Sequence, residues 1–282
     1  MIFYILLFVA VFLVFISFWG FWQATHPPKI ISNTTPKDLG WEFEKVSLQT
    51  EDGLKLAGWF VPTDKNLQKA IILLHGYPTD KGDLLHWASF LKDKYNLLFF
   101  DFRYFGQSEG SFTSLGYHER KDVLSAIDFL KKKGISKIGL MGFSYGASVA
   151  LLTLPQASDV EAVVADSAFA NLDLMGKIYW GKFPYLEKLL MALSKLWGRL
   201  IYGIDAARIS PEQAAKKVKT PIFVIHSRKD ELILVENAKR LEKALSDNKN
   251  AQVWIYDRGV HGELAGQGYE ERILQFFEKH LI

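Results

Sequence analysis

Ser144 sits at the centre of Gly142-Phe143-Ser144-Tyr145-Gly146, a Gly-x-Ser-x-Gly pattern whose chemistry would be nucleophilic. Residues 137–141 ahead of it read as a buried strand and residues 147–154 behind it as a helix of small and apolar side chains, so Ser144 occupies a sharp strand-to-helix turn. Such a turn needs positions without a Cβ where chain segments approach closely. The helix start behind it offers free N–H groups and a positive dipole end to a developing anion. The pentapeptide alone also occurs in ordinary turns; the flanking strand and helix favour the chemical reading.

A serine hydroxyl is a poor nucleophile near neutral pH and needs a histidine base oriented by a carboxylate. Pro221-Ile222-Phe223-Val224-Ile225 is a second fully apolar run, followed by His226-Ser227-Arg228-Lys229-Asp230-Glu231. Asp230 is the candidate acid, Glu231 its alternative, and His226 reads as a strand-end residue. Residues 252–256 read as the last strand, and Asp257-Arg258-Gly259-Val260-His261-Gly262 as the loop after it. Of seven histidines, His261 alone combines a post-strand loop with glycine neighbours, which suits a side chain presented into a cleft. Asp257 is too close to His261 in sequence to come from a separate strand end. A third requirement is donors for an oxyanion. Residues 70–74 form another buried strand, running into His75-Gly76-Tyr77-Pro78-Thr79, where the Tyr77 N–H would pair with the Tyr145 N–H next to the nucleophile. Taken alone, His75-Gly76 reads better as an ordinary strand-to-loop turn.

These segments, with Asp101-Phe102-Arg103-Tyr104-Phe105-Gly106-Gln107-Ser108-Glu109-Gly110, resemble the α/β-hydrolase superfamily, in its serine-hydrolase branch of BEM46-like and monoacylglycerol-lipase-like esterases. The resemblance spans nearly everything from Trp41 to the C-terminus. It implies the chain order Ser, Asp, His, and so Ser144 as nucleophile, Asp230 as acid and His261 as base. The 101–110 segment matches the structural Asp-x-Arg-Gly-x-Gly-x-Ser-x-Gly loop, except that Tyr104 stands where a glycine is common. A serine nucleophile disfavours the haloalkane-dehalogenase and dienelactone-hydrolase branches.

The elements that must position these residues alternate. Strand-like runs at 70–74, 97–100, 137–141, 160–165, 221–225 and 252–255 are interleaved with helical stretches at 83–92, 120–132, 147–154, 235–245 and 269–281. The pattern predicts an α/β fold with a mostly parallel sheet covered on both faces. Residues 42–48 and 54–61 flank Asp52-Gly53 and predict an antiparallel edge hairpin. The connection from 165 to 221 far exceeds the usual αβ loop and must hold an insertion, about 168–212. Within it, residues 183–204 place leucines at helical spacing and predict a helical cap over the site. A helix packed permanently on the core would show the same stripe.

Residues 2–22 carry no charge and are long enough to cross a hydrocarbon core of about 30 Å. With no basic start and no small-x-small cleavage site, the segment predicts an uncleaved anchor over 1–23, a tether over 24–40 and a catalytic domain over 41–282. Truncation at Gln23 is then expected to leave a soluble, active enzyme. Lys29 and Lys37 follow the span and none precede it, which favours a cytoplasmic catalytic domain. The net charge of +3 is interspersed, so no nucleic-acid stripe exists, and the absence of cysteine excludes disulfides and thiolate ligands. No metal-binding cluster or cofactor motif is evident. The expected activity is a membrane-anchored serine esterase, with small-molecule or lipid esters as substrates. The cap region 168–208 carries six basic residues against three acids, which favours anionic headgroups. Two alternatives stand beside it. Gly-x-Ser-Tyr-Gly also resembles prolyl-oligopeptidase relatives, although the stretch ahead of the catalytic domain is too short for their propeller, and a hydrolase scaffold can serve as a non-catalytic binding protein.

Overall fold

Apolar runs with no polar alternation are stable as strands only when both sheet faces are covered, and the sheet of this protein meets that condition. A computed structural model describes residues 1–63, 68–263, 266 and 268–282. Its strands are β1 (Glu44–Gln49), β2 (Lys55–Val61), β3 (Lys69–Leu74), β4 (Asn96–Phe100), β5 (Lys137–Phe143), β6 (Val160–Asp166), β7 (Ile222–Ser227) and β8 (Gln252–Tyr256), in the order β1-β2-β4-β3-β5-β6-β7-β8. The pairings β1/β2 and β2/β4 are antiparallel and the rest are parallel, so the hairpin does lie at one edge.

Alternate residues of each central strand enter different cores. Ile72, Leu74, Leu140 and Ala165 meet helices α2 (Glu119–Lys132) and α3 (Tyr145–Thr153) on one face, together with α6 (Pro211–Ala215) and α7 (Glu236–Ala244). On the other face, Ile71, Leu73, Met141 and Val164 meet α8 (Tyr269–His280). The helix expected over 83–92 is not continuous. Two 3-10 turns, Lys81–Leu84 and Ser89–Leu91, replace it, while Leu84, Leu85, Ala88 and Leu91 still enter the core. Here tertiary contacts override helical periodicity: Asp80 accepts from Gly82 N and, across the surface, from Ser32 N.

The insertion contains α4 (Leu172–Trp180) and α5 (Glu187–Tyr202), one helix more than the apolar stripe suggested. The N-terminal helix α1 runs Ile2–Thr25, two residues beyond the expected anchor, 1–23. Its first 15 residues project largely exposed, whereas Ser17, Gly20, Phe21 and Thr25 are buried against the cap. Trp197 Nε1 donates to Ser17 Oγ at 3.1 Å, Phe18 meets the Trp197 ring edge-on at 5.4 Å, and Gly198 faces the Phe21 ring. The segment expected as a tether is docked along the body. Thr113 N donates to Thr25 O (2.9 Å), Tyr104 Oη to Pro27 O (2.6 Å) and Ser32 N to Asp80 Oδ2 (2.8 Å). Tyr104 holds φ 73°, the left-handed backbone a glycine would adopt freely, so the unusual residue keeps the loop path and uses its ring to hold the N-terminal segment.

Candidate active site

All the residues singled out for chemistry arise where the parallel strands β3, β5, β7 and β8 end, the edge at which open α/β sheets build their sites. At the end of β5 the chain reverses into α3 through Ser144, whose φ of 54° and ψ of −113° are strained for a residue with a side chain. The surrounding structure over-determines this conformation. Ser144 N donates to Asp166 O (2.7 Å) and Ser148 N to Ser144 O (3.1 Å). A Cβ at Gly142 would lie 2.5 Å from Ala147 N, and one at Gly146 would lie 2.1 Å from Leu74 O, so neither glycine tolerates a side chain.

Asp230, His261 and Ser144 converge from three strand ends. His261 Nδ1 is 2.7 Å from Asp230 Oδ2, and His261 Nε2 is 3.0 Å from Ser144 Oγ. Asp230 is buried, and its other oxygen accepts from Leu232 N (2.9 Å) and Ile233 N (2.7 Å). Burial pushes the Asp230 carboxyl up, but the His261 and Ile233 hydrogen bonds outweigh it and hold the group below its ordinary value. Asp230 is therefore ionised at neutral pH, and an ionised acceptor fixes the proton of a neutral His261 on Nδ1. That leaves Nε2 free to accept a proton from the Ser144 hydroxyl.

The alternatives take other places. Glu231 is exposed, and Asp257 pairs with Arg228 at 2.6 Å. His226 is fully buried behind Asp230 with Nε2 2.6 Å from Ile233 O, and burial lowers its pKa, so it is a neutral ring that holds the Asp230 loop. His75 also serves structure: its Nδ1 donates to Gly76 O (2.7 Å) and its Nε2 accepts from Phe102 N (3.0 Å), tying together the ends of β3 and β4. Beyond it, the N–H groups of Tyr77 and Tyr145 donate to no protein acceptor among the described residues. The two tyrosine rings lie 6.2 Å apart, and the Tyr77 hydroxyl, pushed up to about 12 by burial, donates to Ala24 O of α1 at 3.2 Å.

Three supports went unread in the sequence. Ser227 Oγ lies 2.7 and 2.6 Å from the Arg258 and Gly259 carbonyls, joining the Asp230 loop to the His261 loop. Phe143 lies under the His261 ring at 5.0 Å and meets Trp87 at 6.0 Å. Asp166, at the end of β6, accepts from Tyr269 Oη (2.6 Å) and Ser167 Oγ (3.0 Å). It directly ends the apolar run of β6, a signal that the sequence does carry.

Burial pushes the Asp166 carboxyl from its ordinary 3.8 up to about 6, only partly offset by the Tyr269 and Ser167 hydrogen bonds. A raised folded-state pKa supplies stability that is complete below the unfolded value and lost as pH rises through the folded one. The loss here is on the order of 3 kcal/mol by pH 8. Asp166→Asn, which keeps an acceptor for Tyr269, is expected to melt higher than the wild type at pH 8 and alike at pH 4. A lower melting temperature at pH 8 would mean that the ionised carboxylate is itself required.

Ser144 and Tyr145 open onto a cavity of about 430 Å³ whose walls are almost entirely apolar, supplied by α1, α4, α5 and the segments around Leu115, Phe169 and Ile233. No metal-binding group of His, Cys, Asp or Glu occurs among the described residues.

Comparison with known proteins bears on this geometry. The model of the prolyl oligopeptidase family matches residues 110–282. The α/β-hydrolase domain-containing protein WAV2 of Arabidopsis thaliana is 25% identical over 260 residues, covering 87% of this chain and 82% of its own. Protein bem46 of Schizosaccharomyces pombe is 23% identical over 260 residues, covering 88% and 81%. Among solved structures, the Pf2001 esterase of Pyrococcus furiosus superposes with a TM-score of 0.76 at 30% identity, covering 92% of this chain and 99% of the esterase.

Proposed function

Because this chain belongs to the prolyl oligopeptidase family within the α/β-hydrolase superfamily, we propose that it is a serine hydrolase that cleaves carboxylic esters through an acyl-enzyme and is anchored in a membrane by α1. The observation that carries the proposal is the hydrogen-bonded series Asp230, His261, Ser144 opening into an apolar cavity. Ser144 Oγ attacks the ester carbonyl carbon while His261 Nε2 takes its proton. Asp230 stabilises the imidazolium that forms, and the Tyr77 and Tyr145 N–H groups bind the oxyanion, each such donor being worth about 10²–10³ in rate. Collapse of the tetrahedral intermediate expels the alcohol, which leaves with the proton from His261. Water then attacks the acyl-serine with His261 as base, and the carboxylic acid departs.

Membrane anchoring is supported by the length of α1, 24 residues, and by its residues 2–16, which are all apolar and largely exposed. Lys29 and Lys37 beyond it favour a cytoplasmic active site. Peptide hydrolysis is the second reading, favoured by the family match. The apolar cavity favours esters, since a peptide would bury amide groups there without partners. Purified protein is expected to hydrolyse p-nitrophenyl butyrate and longer esters and to leave peptidyl p-nitroanilides intact. Anilide cleavage without ester cleavage would replace the esterase reading with the peptidase one.

A further inference from the structure

The anchor and the cavity are one construction. A hydrocarbon core of about 30 Å takes about 20 helical residues, so a span that begins at Ile2 ends near Phe21. Yet α5 already touches α1 at Ser17 and Phe18, roughly a turn earlier. The cap therefore sits at the level of the acyl–headgroup boundary. Its outer face suits that depth: Leu189, Leu196, Leu200 and Ile201 of α5 are exposed, and Tyr185 is 99% exposed. Lys177, Lys182, Lys188 and Arg199 around them are exposed and form no ion pair among the described residues. An amphipathic, basic helix of this kind lies in the interface plane, and the exposed Trp19 and Trp22 of α1 and Tyr179 of α4 belong to the same aromatic belt.

The cavity lies inside this layer. Gly20, Phe21 and Ala24 of α1 line it opposite Met175 and Trp180 of α4 and Met191 of α5, and the same cavity reaches Ser144. Gly20 is the close point, because a Cβ there would stand 2.5 Å from Trp180 Cζ2 and 3.1 Å from Tyr179 Cε1. We propose that this cavity receives the acyl chain of a lipid ester directly from the leaflet surrounding α1, with Gly20 and Trp180 setting how much of the chain it accepts. The proposal rests on the membrane-anchored serine-hydrolase reading above and adds to it the substrate class, the route and the residues that select. A side chain at position 20 forces Trp180 into the cavity or out of its wall, whereas truncating Trp180 enlarges the space. Each methylene kept out of the cavity costs about fourfold in kcat/KM, so excluding two costs about 15-fold.

The test uses full-length protein in phospholipid nanodiscs and p-nitrophenyl esters from butyrate to palmitate. The palmitate-to-butyrate ratio of kcat/KM is expected to fall about 15-fold or more in Gly20→Leu and to rise in Trp180→Ala. It should stay at the wild-type value in Trp19→Leu, on the outward side of α1. Opposite shifts in the two wall variants separate selection from general damage to the cap. A second readout needs no turnover: a diazirine-bearing palmitate, photo-crosslinked in the Ser144→Ala protein, should label residues 17–25 and α4. Labelling there without ester hydrolysis by the wild type would reject the hydrolase reading and keep the acyl site. Hydrolysis with unchanged ratios in both wall variants, or labelling elsewhere, would overturn the proposal, and failure to float with phosphatidylcholine–phosphatidylglycerol vesicles would remove the leaflet as the source.

Discussion

Ser144→Ala is expected to lower ester turnover by about 10⁴–10⁶ and to abolish labelling by a fluorophosphonate, while the melting temperature stays within about 3 °C of the wild type. The size of the loss follows from chemistry: without Oγ there is no atom to form the acyl-enzyme, and what remains is binding and any oxyanion stabilisation. The small change in stability follows from packing. The hydroxyl meets His261 Nε2 at 3.0 Å, and the His261 side chain is itself partly exposed, so its loss leaves no deeply buried group unpaired. The backbone contacts that hold the strained turn, Ser144 N to Asp166 O and Ser148 N to Ser144 O, do not involve the side chain. Equal labelling of both proteins would eliminate Ser144 as the nucleophile.

His261→Ala should be nearly as damaging as Ser144→Ala, because residues that act in one proton-transfer series fail as a unit. Changes at Asp230 divide in an informative way. Asp230→Asn is expected to lose about 10⁴ in kcat, since an amide no longer enforces the Nδ1–H tautomer, while still accepting from Leu232 N and Ile233 N and so remaining folded. Asp230→Ala should lose both activity and stability, as each buried N–H left without an acceptor costs about 1–3 kcal/mol. The pH dependence has a definite sign. The Asp230 carboxyl is held below its ordinary 3.8, so its contribution is complete above that value and disappears only as pH falls through the lower, folded-state pKa. Kinetics of the three variants with melting curves in parallel separate these outcomes; turnover that survives in His261→Ala but vanishes in His226→Ala would move the base to His226.

Several features of this protein are legible in the sequence because they rest on local rules. Unbroken apolar runs state that strands are covered on both faces, which is why β3 through β7 and the α/β alternation follow from composition and order. Glycines on both sides of a serine, after a strand and before a helix, state a close approach, and a Cβ at Gly142 or Gly146 would indeed lie within 2.5 Å of the Ala147 or Leu74 backbone. Asp230 and His261 stand out in the sequence because each lies in a polar loop that follows a strand-like run, His261 with glycine neighbours.

What local rules do not carry is which distant surfaces meet. The helical periodicity of 83–92 gave way to two 3-10 turns because the Asp80 carboxylate joins Gly82 to Ser32, a residue 48 positions away. His226 reads in the sequence as a strand-end residue, but tertiary packing decides that it lies buried as a neutral ring behind Asp230 while His261 reaches Ser144. The apolar N-terminal run reads as an anchor joined by a tether, separable from the enzyme at Gln23. Its length and hydrophobicity belong to the sequence. Tertiary packing alone decides that Ser17, Gly20 and Phe21 are walled in by α4 and α5 and that residues 24–40 are docked, so truncation at Gln23 would remove part of the cavity wall. Hydropathy records how apolar a helix is but not what its last turns touch, and lipid and a tryptophan-lined cap are equally good apolar surroundings for Phe21.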